Sequence, residues 1–190
     1  MTTVSIIGSG NMGSAIGGIV AAGGNTVEFV GRDTSEAITG DIVVLAVPHP
    51  SLAEIVSSRG AELAGRIVVD ITNPLNFETF DSLVVPAGSS AAAELQAKLP
   101  ASHVLKAFNT TFAATLGAKR VGDLPTTVLV AGDDAAAKQS LISAVTSSGL
   151  AAIDAGSLER AHELEAIGFL QLTLAVGEQL PWTGGLAVAR

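Results

Sequence analysis

Short apolar runs recur along the chain and alternate with longer segments whose apolar positions return every three or four residues. The runs at 3–7, 26–30, 42–47, 67–71, 104–108, 126–131 and 151–154 read as β-strands, and the segments 11–23, 50–63, 89–99, 133–148 and 157–180 as helices. Two runs, Ile42-Val43-Val44-Leu45-Ala46-Val47 and Ile67-Val68-Val69-Asp70-Ile71, are apolar at nearly every position instead of at alternate ones. Strands of that kind have both faces covered. Their alternation with helices predicts an α/β fold, a doubly wound and mainly parallel sheet between two helical layers.

Two spacings modify that picture. Only eleven residues separate Val30 from Ile42, whereas a parallel crossover ordinarily takes about a dozen or more, commonly as a helix. The sheet is therefore expected to be shortened after the second strand, which leaves 26–30 as an edge with Glu28 as a solvated residue on it. The segment 72–88 is the longest irregular stretch, and loops of that length in a compact domain tend to be functional. Residues 1–155 are expected to form one nucleotide-binding unit. The long helix from 157 to 180 and the tail to 190 should pack on that unit and on a second copy of the chain. Within the helix Leu158, His162, Glu165 and Phe169 share one side, while Leu164, Ile167, Leu170, Leu174 and Leu180 form an apolar stripe with Gly168 and Gly177 allowing close approach.

The first strand runs into Gly8-Ser9-Gly10-Asn11-Met12-Gly13, and Met12, Ile16, Ile19 and Val20 then share one helical face. A Gly-x-Gly-x-x-Gly string alone is a weak signal in a chain with 21 glycines; between a strand and a helix it is a specific one. Gly8 makes the tight turn, Gly10 lets the backbone approach a pyrophosphate, and Gly13 permits close helix–strand packing. The helix N-terminus then offers free N–H groups and a positive dipole end to phosphate. The predicted architecture is of Rossmann type, with a dinucleotide as ligand.

Composition narrows the partners. Hydrophobic residues make up 48% of the chain and the mean hydropathy is +0.50, yet no uncharged apolar stretch is long enough to span a bilayer. Such apolarity without a span points to surface hidden in a homodimer. The net charge of −8 argues against nucleic acid and anionic membranes. No cysteine is present, which excludes disulfides and thiol catalysis, and the three histidines show no metal-ligand spacing. With no basic, apolar leader ahead of the first strand, a cytoplasmic location is expected.

Cofactor choice is made just after the second strand, where an acid suits the NAD ribose and an arginine suits the 2′-phosphate of NADP. Gly31-Arg32 stands there, which favours NADP; the competing reading takes Asp33 as the ribose acid and Arg32 as its surface partner. Ligands of open parallel sheets collect at strand carboxyl ends, which selects Ala46-Val47-Pro48-His49, Thr72-Asn73-Pro74 and Asn109. Val47 and Pro48 would wall the nicotinamide ribose. His49 either contacts ligand or opens the next helix facing solvent. Asn73 and Asn109 are placed to hydrogen-bond a carboxamide or the acceptor, or else serve as a turn former and a helix cap. Asp133-Asp134 reads as a helix start. No catalytic triad, carboxylate pair or metal cluster is expected at these ends, so no catalytic side chain is assigned. The apolar tail with Trp182 is expected near the nicotinamide end of the cleft.

Several strings together resemble the NADPH:deazaflavin oxidoreductases and their short bacterial dinucleotide-binding relatives. They are Gly8-Ser9-Gly10-Asn11-Met12-Gly13, Val30-Gly31-Arg32, Val44-Leu45-Ala46-Val47-Pro48, Val68-Val69-Asp70-Ile71-Thr72-Asn73-Pro74-Leu75, Val104-Leu105-Lys106-Ala107-Phe108-Asn109-Thr110, Val130-Ala131-Gly132-Asp133-Asp134 and Asp154-Ala155-Gly156-Ser157-Leu158. The N-terminal domain of the six-span metalloreductases is similar too. The resemblance implies an NADP-dependent oxidoreductase that passes hydride to a small ring acceptor: a deazaflavin or flavin as co-substrate, a quinone or an imine. The alternative is a non-catalytic NADP(H)-binding module that senses redox poise.

Overall fold

The computed structural model describes residues 1–31 and 36–189; residues 32–35 and 190 lie outside the described residues. In chain order the elements are β1 (Thr3–Ile7), α1 (Asn11–Ala22), β2 (Thr26–Val30), β3 (Ile42–Leu45), α2 (Leu52–Leu63), β4 (Ile67–Asp70), α3 (Ala91–Lys98), β5 (His103–Lys106), α4 (Ala113–Ala118), β6 (Arg120–Val121), β7 (Leu124–Pro125), β8 (Thr127–Gly132), α5 (Ala135–Thr146), β9 (Ala151–Gly156) and α6 (Ala161–Val176). Seven strands form one sheet in the order β2-β1-β3-β4-β5-β8-β9, and β6 pairs with β7 as a separate hairpin.

The uninterrupted apolar runs are buried on both faces, as their pattern requires. Ile42 and Val44 pack with Ile16, Ile19 and Leu141 on one side of the sheet; Val43 and Leu45 pack with Leu52, Leu63 and Leu95 on the other. Each such side chain contributes roughly 1.5–3 kcal/mol by leaving water. Strands β1 to β5 are parallel, and their carboxyl ends share one edge of the sheet.

The short connection after β2 has the expected consequence. Among the described residues no strand lies outside β2, which is the edge, and the described part of the connection, residues 36–41, holds neither helix nor strand. It crosses β1 as a strap tied by side chains. Arg66 donates to the carbonyls of Ile38 (2.9 Å) and Gly40 (2.5 Å), Arg59 to that of Glu36, and the Gly40 N–H donates to Ser5 Oγ at 2.9 Å. Gly40 is required by closeness: a Cβ there would stand 2.5 Å from Ser5 N. Glu28 is not the solvated edge residue expected. Its carboxylate accepts from Ser5 Oγ (3.1 Å) and Thr39 Oγ1 (2.6 Å) and fastens the strap to the edge strand.

The sheet is mainly parallel, as expected: its described pairings are parallel except that of β8 with β5, and β9 follows β8. The structure corrects the sequence reading elsewhere. Helix α4 and the β6–β7 hairpin, both missed, turn the chain before β8; they are too short to leave a periodic signature. The predicted helix 157–180 begins as a short turn of 3₁₀ helix at Leu158–Arg160 and ends at Val176. It stops there because Glu178 takes the left-handed conformation (φ 58°), with Gln179 N donating to Leu174 O (2.9 Å) and Glu178 N to Ala175 O (3.2 Å), a Schellman closure. Its buried face is also not the apolar stripe. Leu164, Glu165, Gly168, Gln171 and Ala175 point inward, whereas Leu170 and Val176 are exposed.

Candidate functional site

The three motif glycines behave as their spacing demands. Gly8 has φ +109°, and a Cβ there would lie 2.3 Å from the Ala46 carbonyl oxygen; one on Gly13 would lie 2.1 Å from the Gly8 carbonyl oxygen. A Cβ on Gly10 would meet nothing within 4 Å, so the backbone of the turn is open on that side. Gly10 caps α1 without a side-chain hydrogen bond, and the first turn holds no acidic residue. Ser9 and Asn11 flank Gly10 and are exposed. A free helix N-terminus beside an open glycine is a cradle that fits a pyrophosphate.

At the end of β2, Gly31 is exposed and its N–H donates to Glu36 Oε2 at 2.9 Å. Arg32 and Asp33, the two residues on which cofactor choice was read, lie outside the described residues. Glu36 is a residue that sequence reasoning missed: its carboxylate returns to the strand end that Gly31 had left without an acid.

Two chambers open at the shared carboxyl edge. One, about 360 Å³, is lined by positions 10–12, 46–49 and 72–73 together with Phe77. The other, about 400 Å³, is walled by Phe108, Phe112, Leu172 and Trp182, with Asn109 beside them. Asn11, Met12, Ile71, Asn73 and Leu172 belong to both, so the chambers adjoin beside the glycine turn. Most of the predicted strand-end residues are thus brought together. His49 opens a short 3₁₀ turn and is half-buried, whereas Pro74 is buried behind the wall. The tail lies along the second chamber, with Trp182 against Phe112 at a ring separation of 5.0 Å. Gln171, itself buried, holds the tail by accepting from Leu186 N at 3.2 Å.

The two asparagines meet. Asn109 Nδ2 donates to Asn73 Oδ1 (2.9 Å) and to the Leu164 carbonyl (2.8 Å), while Asn73 Nδ2 donates to the Asn109 carbonyl (2.9 Å). Asn109 does not cap α4, which begins four residues later. The pair instead laces the loops after β4 and β5 to α6. Gly168 makes room for it, since a Cβ there would stand 2.2 Å from Asn73 Oδ1. Asn109 Oδ1 and Thr72 Oγ1 are buried without a hydrogen-bond partner among the described residues. Phe108, fully buried, holds a left-handed φ of 62° between them and β5, the kind of strain that clusters at ligand sites.

A carboxylate pair does converge behind this edge, contrary to expectation. Asp70 and Lys106 are the last residues of β4 and β5 and are register partners. Lys106 Nζ lies 2.9 Å from Asp70 Oδ2, 2.8 Å from Glu165 Oε1 and 2.5 Å from the Thr72 carbonyl oxygen, and all three charged side chains are sealed from solvent. Glu165 also accepts from Ala91 N (2.9 Å) at the N-terminus of α3. Burial pushes the Glu165 carboxyl above its ordinary range, and Lys106 pulls it back. The sequence held a clue: in each of two apolar strands the last residue is charged. Among the described residues no cluster suits a metal ion, and no helix is long and apolar enough to cross a membrane.

Comparison with known proteins agrees with this geometry. Residues 25–74 match the family described as NADP oxidoreductase, coenzyme F420-dependent. The chain is 31% identical over 166 residues to the F420-dependent NADP reductase of Methanocaldococcus jannaschii, covering 85% of this chain and 74% of that one. It is 33% identical over 133 residues to the metalloreductase STEAP3 of Rattus norvegicus, covering 70% of this chain but only 26% of that larger protein. A crystal structure of a candidate F420-dependent NADP reductase from Arthrobacter sp. FB24 superimposes with a TM-score of 0.85 over the full length of both chains at 24% identity, a likeness of fold. By its identity to the archaeal reductase across most of both sequences, the chain belongs to the coenzyme F420-dependent NADP oxidoreductase family.

Proposed function

We propose that this NADP-dependent oxidoreductase passes a hydride from NADPH to a planar ring acceptor of deazaflavin type, with donor and acceptor meeting where the two chambers join. The observation that carries the reading is that junction. A phosphate cradle leads into one chamber, and an aromatic-walled chamber opens beside it at the same strand ends. The name of the archaeal relative supports a deazaflavin over the flavin, quinone or imine alternatives.

The N–H groups of Asn11, Met12 and Gly13 would hold the pyrophosphate, and Arg32 beside Gly31 the 2′-phosphate. Ala46, Val47 and Pro48 wall the ribose. His49, Thr72 and Asn73 close that chamber, with Asn109 behind the junction. The bound nucleotide supplies the hydride from its reduced nicotinamide ring. Phe112 and Trp182 offer flat apolar faces to the acceptor and exclude water, with Phe108 buried in the same wall. Holding two rings in register can supply roughly 7–11 kcal/mol of barrier reduction without a protein acid or base. The exposed Leu170, Val176 and Leu186, on α6 and the tail, support a homodimer interface on the outer side of that helix.

The test follows NADPH oxidation with a deazaflavin, a flavin, a quinone and a cyclic imine in turn. Deazaflavin should be reduced fastest. NADPH binding with no acceleration by any of the four would refute the reading and leave a redox-sensing module.

A further inference from the structure

The Lys106–Asp70–Glu165 cluster takes no part in holding the nucleotide or the acceptor as placed above, yet it lies directly behind them. Isolating three ionised groups from water is costly, and such clusters can often be replaced by apolar residues with no loss of stability. Its charge does not cancel. One ammonium faces two carboxylates, and the neighbours of both carboxylates are donors. Asp70 accepts from Lys106 and from Thr72 N (2.8 Å); Glu165 accepts from Lys106, Ala91 N (2.9 Å) and Ala92 N (3.4 Å). The partners of both carboxylates are all donors, an arrangement that suits the ionised form against the burial that opposes it at Glu165; with both ionised, the cluster carries one net negative charge. It touches the chamber wall, because Lys106 donates to the carbonyl of Thr72, a lining residue. Among the described residues neither chamber is lined by Asp, Glu, Lys or Arg. A field from behind the wall therefore meets no competing charge on it.

We propose that this buried negative charge poises the cofactor, stabilising the oxidised, positively charged nicotinamide over the neutral reduced ring and so favouring hydride donation from NADPH. Loss of the hydride with its electron pair leaves a full positive charge on the ring, and that charge is what the cluster rewards. Asp70, Lys106 and Glu165 act here as poising residues, since none touches the reacting atoms. A unit charge acting across about 10 Å through an effective dielectric constant of about 20 shifts the relative affinity for the two redox forms by roughly tenfold. The inference rests on the nicotinamide lying at the junction of the chambers.

Calorimetry on the full chain, titrated separately with NADP⁺, NADPH and 2′,5′-ADP, tests it. In Glu165→Gln, and independently in Asp70→Asn should the first variant fail to fold, the ratio Kd(NADP⁺)/Kd(NADPH) should rise roughly tenfold. Glu165→Asp keeps the charge and should keep the wild-type ratio within about twofold, even if a shifted carboxylate weakens both forms; purely structural damage weakens both forms together. An unchanged ratio in a folded, neutralised variant that still binds both forms overturns the poising role. A wild-type protein that binds 2′,5′-ADP but does not distinguish the ring-bearing nucleotides from it overturns the placement of the nicotinamide instead.

Discussion

Replacing Gly168 with alanine tests whether α6 is shaped around the asparagine pair. In an exposed helix interior this substitution stabilises by about 1 kcal/mol, because alanine has less backbone entropy to lose. Here the new Cβ would stand 2.2 Å from Asn73 Oδ1 and 3.0 Å from Asn109 Nδ2, and the near atom belongs to an amide already held by two hydrogen bonds. Either α6 moves outward or the pair breaks. Overpacking of this kind costs about 1–3 kcal/mol. A broken pair would add about 1–3 kcal/mol for a buried donor left unmatched. Subtracting the helix gain leaves a net loss of roughly 0–2 kcal/mol if α6 moves outward and roughly 1–5 kcal/mol if the pair breaks, with the Tm lower by about 2–4 °C for each kcal/mol in a domain of this size. Gly18 on α1 is the matched control: it is exposed, a Cβ there meets nothing within 4 Å, and Gly18→Ala should stabilise by about 1 kcal/mol. Urea unfolding of both variants, with NADPH affinity measured alongside, decides the matter. If Gly168→Ala is as stabilising as Gly18→Ala and binds NADPH normally, the close fit of helix to asparagines has no energetic meaning.

Glu36→Gln should tighten NADPH by severalfold and leave NADH nearly unchanged, since a carboxylate at the end of β2 repels a 2′-phosphate; Arg32→Ala should weaken NADPH roughly tenfold or more, and equal effects on both nucleotides by calorimetry would contradict this. Trp182→Ala removes the ring packed at a tilt against Phe112 and should raise KM for the acceptor several-fold with the Kd of NADPH within about twofold, so a loss confined to NADPH would place the tail on the wrong ligand. The hydrogen bond from Lys138 holds the Asp154 carboxyl below its ordinary range. A depressed folded-state pKa contributes stability above the unfolded value and loses it as pH falls through the folded one. The wild type should therefore exceed Asp154→Asn by under about 1 kcal/mol at neutral pH, a figure kept small by the half-exposed carboxylate, and the gap should close below about pH 4 in chemical denaturation.

The pattern of apolar positions was enough to predict the double-faced strands β3 and β4, and the glycine spacing enough to place the turn that starts α1. The count between Val30 and Ile42 foretold the edge position of β2. Each is a local property, carried by neighbouring residues and by limits on how far a chain can reach. The burial of α6 could not be read that way. Its apolar stripe points outward in part, because Glu165 pairs with Lys106 and Gly168 seats the asparagine pair; both requirements come from residues more than fifty positions away. Nor could the charged cluster be read, although Asp70 and Lys106 stand as charged residues inside two apolar runs. Only sheet register sets them side by side, and only the return of α6 brings the second carboxylate. The reversal at β8 depends on α4 and the hairpin, elements too short to carry a period, so tertiary packing alone decided its direction.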